Sequence, residues 1–599
     1  MKHPVQFKTM PASLESFGVA VDFLSRREPF VADQVGPFIR AVRRQILRRE
    51  HVVGFDGATL VGYAGWLPTT RAAADAWLEN GGELHSADHG ADAVALTIVA
   101  VDDPRVTLGL MRAARELNPG LRVFFKRSYA DATREARKSA VMNRTGLTPD
   151  QSVENRPAPP AAAPARSGAR PPIADDPCAF LYALAERSPG ATERVAIGEE
   201  QVLVVQDPQV AAHVLVDNLA NYSKNFSSFT PFFGRSRLTL DGDAWRRSQR
   251  ISQGFIAPHD TARATEIFSR LYAGLAEELA SRGGAAGPVD GALDRAAVAA
   301  LTETAFSTPL AELGDGFAAD LRPIIHYTAR RAWDLPGVPP AVNETMLAEA
   351  QAAAGRVRKA IARMVERRRR VEPRDNDALS ALIAAADRTE CEPEEIRIDL
   401  AGELVTLVVA GSDTTSAALG WALSILAAFP AFQNALRDEI FAAFGHGGPT
   451  LENLERVPNL RPFIDETLRM FPPVAILSRF ANGSDTVGGH AVAAGDRVLV
   501  SVIGLHQNPA NWDAPREFLI ERHHAEQRAR GERRSRFMAF SAGPRICGGA
   551  RFARMEMEIA LAQILRTCRL ELAEPLPLAF DWGASMRRRG GQKIKVTRL

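Results

Sequence analysis

The sequence predicts two units of different class: a small α/β domain over residues 1–152, and a larger, mainly α domain with a small β-rich subdomain over residues 173–599. Three observations carry this reading. Strand-like and helix-like stretches alternate through the first 150 residues. A proline-rich run follows, and the long remainder has helical spacing broken by a β-rich insert around Val487 to Val502. At 599 residues the chain also exceeds what one hydrophobic core usually supports.

In the first unit, Ile39 to Arg49 has helical spacing. His51–Phe55, the Asp56-Gly57 turn and Ala58–Tyr63 read as a hairpin. A helix is expected over Arg71–Glu79, a strand over Ala93–Val101, a helix over Val106–Leu117, a turn at Pro119-Gly120 and a strand over Leu121–Phe125. Residues 153–172, with Pro157, Pro159, Pro160, Pro164, Pro171 and Pro172, bury little and read as a linker.

Composition excludes several classes. A net charge of +2 gives no case for nucleic acid, and 46% hydrophobic with 24% charged residues is ordinary for a globular chain. Cys178, Cys391, Cys547 and Cys568 have no paired spacing, which argues against a disulfide framework and fits a reducing cytoplasm. Met1–Val5 does not begin the apolar core of a signal peptide. The most apolar stretch, Leu404–Phe429, is interrupted by Asp413, Thr414 and Thr415, so a buried helix is expected there and no membrane span.

The chemistry centres on Phe540-Ser541-Ala542-Gly543-Pro544-Arg545-Ile546-Cys547-Gly548-Gly549. A metal-bound thiolate is stabilised by backbone N–H groups aimed at its sulfur, and glycines let a loop turn tightly enough to aim them. Phe540 can cover that sulfur, and a helix-like run from Arg551 to Glu556 places a dipole behind it. Taken alone, Cys547 reads as a buried structural cysteine in a glycine turn; the further positions matched in order reverse that reading. Upstream, a helix from about Glu395 to Ala428 contains Ala410-Gly411-Ser412-Asp413-Thr414-Thr415, where hydroxyls can draw carbonyls out of the ladder and open a polar groove. Glu466 and Arg469 share a helix face before Phe471-Pro472-Pro473 and Arg479, a spacing that Glu366 and Arg369 repeat in what reads as a solvated helix. Trp245 stands in Asp241–Arg247, four residues before Gln249.

The order Phe-x-x-Gly-x-Arg-x-Cys-x-Gly resembles the haem-binding signature of the cytochrome P450 family at every defined position, and the resemblance extends over residues 173–599. It implies the cytochrome P450 fold and haem b (iron protoporphyrin IX) held by Cys547. Trp245, Gln249, Arg479, Phe540, Gly543, Arg545 and Gly549 would bind the cofactor, with Trp245, Arg479 and Arg545 on its propionates. Gln249 stands where the family usually has Arg or His. Thr414 would hydrogen-bond dioxygen, Asp413 would feed protons, and Glu466 with Arg469 would lock a core helix to the segment around Phe518, Glu521 and Arg522.

The implied activity is a haem-thiolate monooxygenase inserting one atom of dioxygen into a hydrophobic small molecule. Its alternative is a peroxide-driven or rearranging haem-thiolate enzyme, against which the Asp413-Thr414 pair speaks. Only 52 residues follow Cys547 and the first 150 hold no glycine-rich dinucleotide fingerprint, so electrons are expected from a separate ferredoxin or flavodoxin and its reductase. Arg528, Arg530, Arg533, Arg534 and Arg536 are candidates to steer such an acidic carrier. Substrate-lining segments are expected around Phe226–Phe233 and Pro323–Trp333. The order of elements through Gly65-Trp66 and Arg122–Arg127 looks like the toxin-activating lysine acyltransferases, whose fold is similar to the GNAT acetyltransferases. That family's early His and its strand Asp are absent, Ser25-Arg26-Arg27 and Thr97-Ile98-Val99 standing there instead. An inactive, binding or structural role is therefore expected over acyl transfer, and a lysine acyltransferase or acyl-binding activity of this unit is the second alternative for the protein's function.

Overall fold

In a computed structural model the chain divides into two compact units, Met1–Ala165 and Arg166–Leu599. The structure describes all residues except 1–4, 12–13, 26–34, 58, 81–83, 85–90, 103, 119–120, 128–136, 142–175, 198, 257–260, 333–340, 372–376, 391–396, 446, 525–535, 574–579 and 583. The expected linker, the Pro119-Gly120 turn and Arg26-Arg27 lie outside the described residues.

The first unit is built on a six-stranded sheet in chain order: β1 (Gln6–Lys8), β2 (His51–Asp56), β3 (Thr59–Thr69), β4 (Ala93–Val101), β5 (Arg122–Arg127) and β6 (Arg137–Val141). All neighbours are antiparallel except β4 and β5, which run parallel because a helix, Pro104–Glu116, crosses between them. The β2–β3 hairpin turns at Asp56-Gly57, where Gly57 has φ +63°. Strand β4 reads as a nearly unbroken apolar run because it is covered on both faces. Val94 and Leu96 pack with Val106, Leu110 and Ala114 of the crossing helix. Elsewhere Gln45, from the helix Val35–Leu47, donates to the Thr97 hydroxyl at 2.8 Å and accepts from the Tyr63 hydroxyl at 3.0 Å. The Gln45 side chain fills the space beside Gly65, where any Cβ would collide with it.

The second unit is mainly helical. Its centre is the helix Leu400–Ala428, buried nearly from end to end, which explains why its apolar residues do not segregate to one face. Its start is set by Asp399, whose carboxylate accepts from Gly402 N–H at 2.8 Å, so it begins later than the expected Glu395. Trp421 on this helix stacks on Phe471 with ring centroids 4.3 Å apart and donates its indole N–H to the Met586 carbonyl at 2.9 Å. Among the described residues no single helix is long and apolar enough to cross a membrane.

A five-stranded sheet forms the β-rich part, in the order Thr192–Ile197, Glu200–Val205, Arg497–Ser501, Ile476–Ala481, Tyr222–Ser223. The expected insert is the hairpin Asp485–Val487 with His490–Val492, plus the central strand Arg497–Ser501. Because each unit has its own core, a truncated chain beginning at Pro171 is expected to fold and bind haem. Soluble expression followed by a haem absorbance titration checks this, and an insoluble or haem-free product contradicts it.

Candidate active site

The cysteine loop is shaped by two residues with positive φ, Ser541 (+65°) and Gly543 (+70°). At Gly543 a Cβ would lie 2.5 Å from the Leu215 carbonyl oxygen, so only glycine fits. Cys547 N–H donates to the Phe540 carbonyl at 2.9 Å, closing the loop, and the helix Ala550–Thr567 begins three residues later. Gln249 donates its side-chain amide to the Pro544 carbonyl at 2.6 Å, so it braces the loop from the helix Gly242–Ile256. Phe540 lies under the Arg554 guanidinium, 4.3 Å from ring centroid to cation.

Cys547 opens onto a cavity of about 400 Å³. Burial pushes its thiol up from the ordinary value, opposed by the Gly549 N–H and the positive charges of Arg237 and Arg554. The protein alone therefore does not favour the free thiolate; a metal cation would have to complete that stabilisation.

The central helix lines the same cavity through Ala410, Gly411, Thr414 and Thr415. Thr414 donates its hydroxyl to the Ala410 carbonyl at 2.9 Å and Thr415 to the Gly411 carbonyl at 3.0 Å. The space that Gly411 leaves beside its Cα is approached by Leu301 of the helix Asp290–Phe306, 2.8 Å from an added Cβ. Asp413 does not join Thr414 in the cavity. Its carboxylate faces a different pocket, 2.7 Å from Arg587, and accepts from the Ser585 hydroxyl at 2.5 Å. No carboxylate stands among the described residues lining the thiol cavity.

One end of the cavity is cationic. Lys224, Arg237 and Arg545 line it, with Arg479 beside them. The Arg545 guanidinium lies 4.1 Å over the Trp245 ring and 2.6 Å from Asp241. Burial and the charges of Arg545 and Arg479 bring Lys224 down to about 7, against the pull of Asp241. Burial, then Arg545, lowers Arg479 to about 10. Arg545 Nη1 and Arg479 Nε are buried with no hydrogen-bond partner among the described residues. Four cationic side chains here face two carboxylates, Asp241 and Glu403, the latter 3.8 Å from Arg237. This excess of basic groups over carboxylates, with buried unpartnered N–H groups on Arg545 and Arg479, suits an anionic group such as the propionates of a haem, so the residues fit that group. Lys224 and Arg237 were not singled out by sequence reasoning, because no local pattern marks them.

Behind the loop, Glu466 and Arg469 form a fully buried bidentate pair at 2.8 and 2.9 Å. Arg469 also donates to the carbonyls of His506, Pro515 and Glu517. Glu466 accepts from Leu519 N–H at 2.7 Å, Arg522 at 3.2 Å and His523 at 2.7 Å. His506 donates to the Arg469 carbonyl at 3.0 Å and accepts from Met538 N–H at 2.9 Å, which defines its neutral tautomer. The buried pair is thereby tied to the strand of chain that becomes the cysteine loop.

Two expectations need correction. Phe229, Phe232 and Phe233 pack in a core cluster, while Ile325 and His326 face the pocket that holds Asp413. The apolar lining of the thiol cavity comes instead from Leu238, Leu301, Ala305, Leu407, Val474 and Leu477. Arg536 is not part of an open patch, since it donates to the Asn511 carbonyl and lies over Trp512 at 5.2 Å. Arg528, Arg530, Arg533, Arg534 and Trp333 lie outside the described residues.

A thiol-bearing glycine loop under a hydroxyl-rich central helix, with cations at one end, defines a haem-thiolate protein. The family profile described as Cytochrome P450 matches residues 174–596, and the chain belongs to that family. It is similar to the protein named LUTEIN DEFICIENT 5, chloroplastic, of Arabidopsis thaliana, at 25% identity over 68% of this chain and 72% of that one. Carotene epsilon-monooxygenase, chloroplastic, of the same plant is 24% identical over 68% of this chain and 80% of its own length. Among solved structures, the heme domain of cytochrome P450DA superposes with a TM-score of 0.63 at 20% identity, covering 71% of this chain and 93% of that one, a likeness of fold. The protein is a cytochrome P450 monooxygenase, and its cofactor is haem b.

Burial and the Arg469 charge lower the His506 imidazole to about 3, from an unfolded value near 6.5. Between those values the unfolded chain binds the extra proton, so stability is full above about pH 6.5 and falls as pH drops toward 3. The His506→Gln variant, which keeps one donor and one acceptor, is expected to lack this component, on the order of several kcal/mol at the acid end. Urea unfolding of both proteins across that range checks it; parallel pH curves contradict it.

Proposed function

We propose that the chain binds haem b through Cys547 and inserts one atom of dioxygen into a C–H or C=C bond of a hydrophobic small molecule. Electrons would come from a separate ferredoxin or flavodoxin and its reductase. The observation that carries the reading is one cavity lined by Cys547, by Thr414 of the central helix, by apolar side chains such as Leu301, Leu407 and Leu477, and by the basic Lys224, Arg237 and Arg545. Haem, when bound, supplies the activation of dioxygen.

The chain's own residues do the rest. Cys547 is the sulfur ligand, braced by the Gly543 turn and by Gly549 N–H, and Phe540 shields it. Arg545, Arg479, Trp245 and the added pair Lys224 and Arg237 would hold the propionate end. Gln249 acts through the loop carbonyl of Pro544. Thr414 would hold a proton at its Oγ1, and Leu301, Leu407 and Leu477 would exclude water and seat the substrate. Since one relative is named for carotene, an extended apolar hydrocarbon is the first substrate class to screen.

Arg528, Arg530, Arg533 and Arg534 are proposed to steer the acidic carrier. The first unit, over residues 1–152, is proposed to have a binding or structural role and not to transfer acyl groups. A cytoplasmic location belongs to the same proposal and rests on the unpaired cysteine spacing. The peroxide-driven alternative gains from one observation: Asp413 is bonded to Arg587 and turned away from the cavity.

Labelled dioxygen separates the two readings. With reduced carrier the product is expected to hold one labelled atom and the water the other, whereas turnover only with added peroxide contradicts the monooxygenase reading. Thr414→Ala is expected to keep haem and substrate binding while at least doubling hydrogen peroxide released per dioxygen consumed. Unchanged coupling contradicts the role given to its hydroxyl.

A further inference from the structure

Away from the thiol cavity, one carboxylate collects several donors from three parts of the fold. Asp485 opens the hairpin Asp485–Val487 with His490–Val492, and its side chain is 13% exposed. Its Oδ2 accepts from the Tyr222 hydroxyl at 2.6 Å, from His213 Nε2 at 2.9 Å and from the Asn218 side-chain amide at 3.0 Å. Its Oδ1 accepts from Thr486 N–H at 2.7 Å. A carboxylate only accepts, so the His213 proton facing it sits on Nε2. Burial would raise the Asp485 carboxyl, but the hydrogen bonds from Tyr222, His213, Thr486 and Asn218 bring it down to about 2. It therefore carries its charge at neutral pH.

His213 and Asn218 are the two ends of one turn. The helix Pro208–Ala212 widens over His213–Asp217 into a π-helical turn, closed by Asn218 N–H on the His213 carbonyl at 2.8 Å, five residues back. Such single turns are rare and recur at functional sites. Between the two ends stand Leu215 and Val216. A Cβ added to Gly543 would meet the Leu215 carbonyl oxygen at 2.5 Å and Val216 at 3.0 Å, so the π-turn lies directly against the bend of the cysteine loop. Leu215 and Tyr222 also share a core cluster with Met538, and Ala542 packs against it. None of Asp485, His213, Asn218 and Tyr222 is among the described residues lining the thiol cavity, so any effect on the sulfur passes through the loop.

We propose that Asp485 is a positioning residue for the sulfur ligand: by holding both ends of the π-turn it keeps the Leu215 carbonyl against Gly543, and so keeps the loop in the shape that presents Cys547. This rests on the haem-thiolate reading above. Without the carboxylate, His213, Asn218 and Tyr222 lose their common acceptor and the turn is free to relax toward an ordinary helix. The carbonyl beside Gly543 then withdraws, and the loop is left to its own closing bond from Cys547 N–H to the Phe540 carbonyl.

The test uses haem-loaded full-length protein, reduced under carbon monoxide, and follows the loss of the red-shifted Soret band of thiolate ligation with time at fixed temperature. Leu184→Ala, in a core cluster that does not include the loop, is the control for a general loss of stability. Asp485→Ala is expected to speed the loss of the band roughly fivefold, and Asn218→Ala and Tyr222→Phe, each removing one hydrogen bond, about twofold. Asp485→Asn, which keeps an acceptor oxygen, is expected to recover part of the difference. If Asp485→Ala does not retain haem, the two single-bond variants decide. A band as durable as in the parent protein, or the same acceleration in Leu184→Ala, overturns the inference. A parent protein that holds haem and never shows the band defeats the haem-thiolate reading itself; a parent that shows it beside unaffected variants removes only the role of Asp485.

Discussion

The structure around the cysteine loop depends on one ion pair, Glu466 with Arg469, whose side chains have no solvent exposure. Burying two charges costs several kcal/mol per ion unless their remaining donors and acceptors are satisfied. Here they are: three carbonyls, from His506, Pro515 and Glu517, take the Arg469 guanidinium, and Leu519 N–H, Arg522 and His523 converge on Glu466. The pair thus gathers residues 506 to 523 around one point, and His506 passes the constraint on to Met538. Two residues later the chain enters Phe540 and the turn that presents Cys547. Removing Glu466 strands the Arg469 guanidinium without its carboxylate, a change of about 3–5 kcal/mol.

The cavity itself has the opposite character. Lys224, Arg237, Arg479 and Arg545 crowd at one end with fewer negative charges than they need, and burial raises the Cys547 thiol. Such a site is destabilised until a dianionic, cationic-centred group enters it, and binding free energy then appears as stability. Haem meets both needs with its propionates and its iron. The framework set by Glu466 and Arg469 holds this mismatch in place.

Much of the site was legible because its local chemistry is demanding. The glycines of the loop mark a turn, and Gly543 has a positive φ and no room for a Cβ. Strand β4 was readable residue for residue because an apolar, β-branched run bounded by polar residues has few alternatives. Glu466-Arg469 was legible only through its neighbours, since Glu366 and Arg369 have the same spacing and are otherwise engaged: Glu366 pairs with Arg370 and Arg369 with Asp387. Directions across a helix were less legible. Asp413 and Thr414 are adjacent in sequence, yet which cavity each faces depends on the helix's rotation about its axis, set by packing. Lys224 and Arg237 reach the site from a loop region whose placement depends on nearby Asp241 and on Glu403, far along the chain, and no periodicity announces that. The phenylalanines at 229, 232 and 233 look like substrate contacts in sequence and are core in the fold, because apolar residues of the same kind serve both purposes.

The central claim is that Cys547 would supply the sulfur ligand of a haem. Absorbance spectroscopy of the reduced protein under carbon monoxide tests it most directly, with the Cys547→Ser variant prepared alongside. The account predicts the red-shifted Soret band of thiolate ligation in the parent protein and its loss in the variant. A variant that keeps that band, or a parent that never shows it while holding haem, contradicts the account.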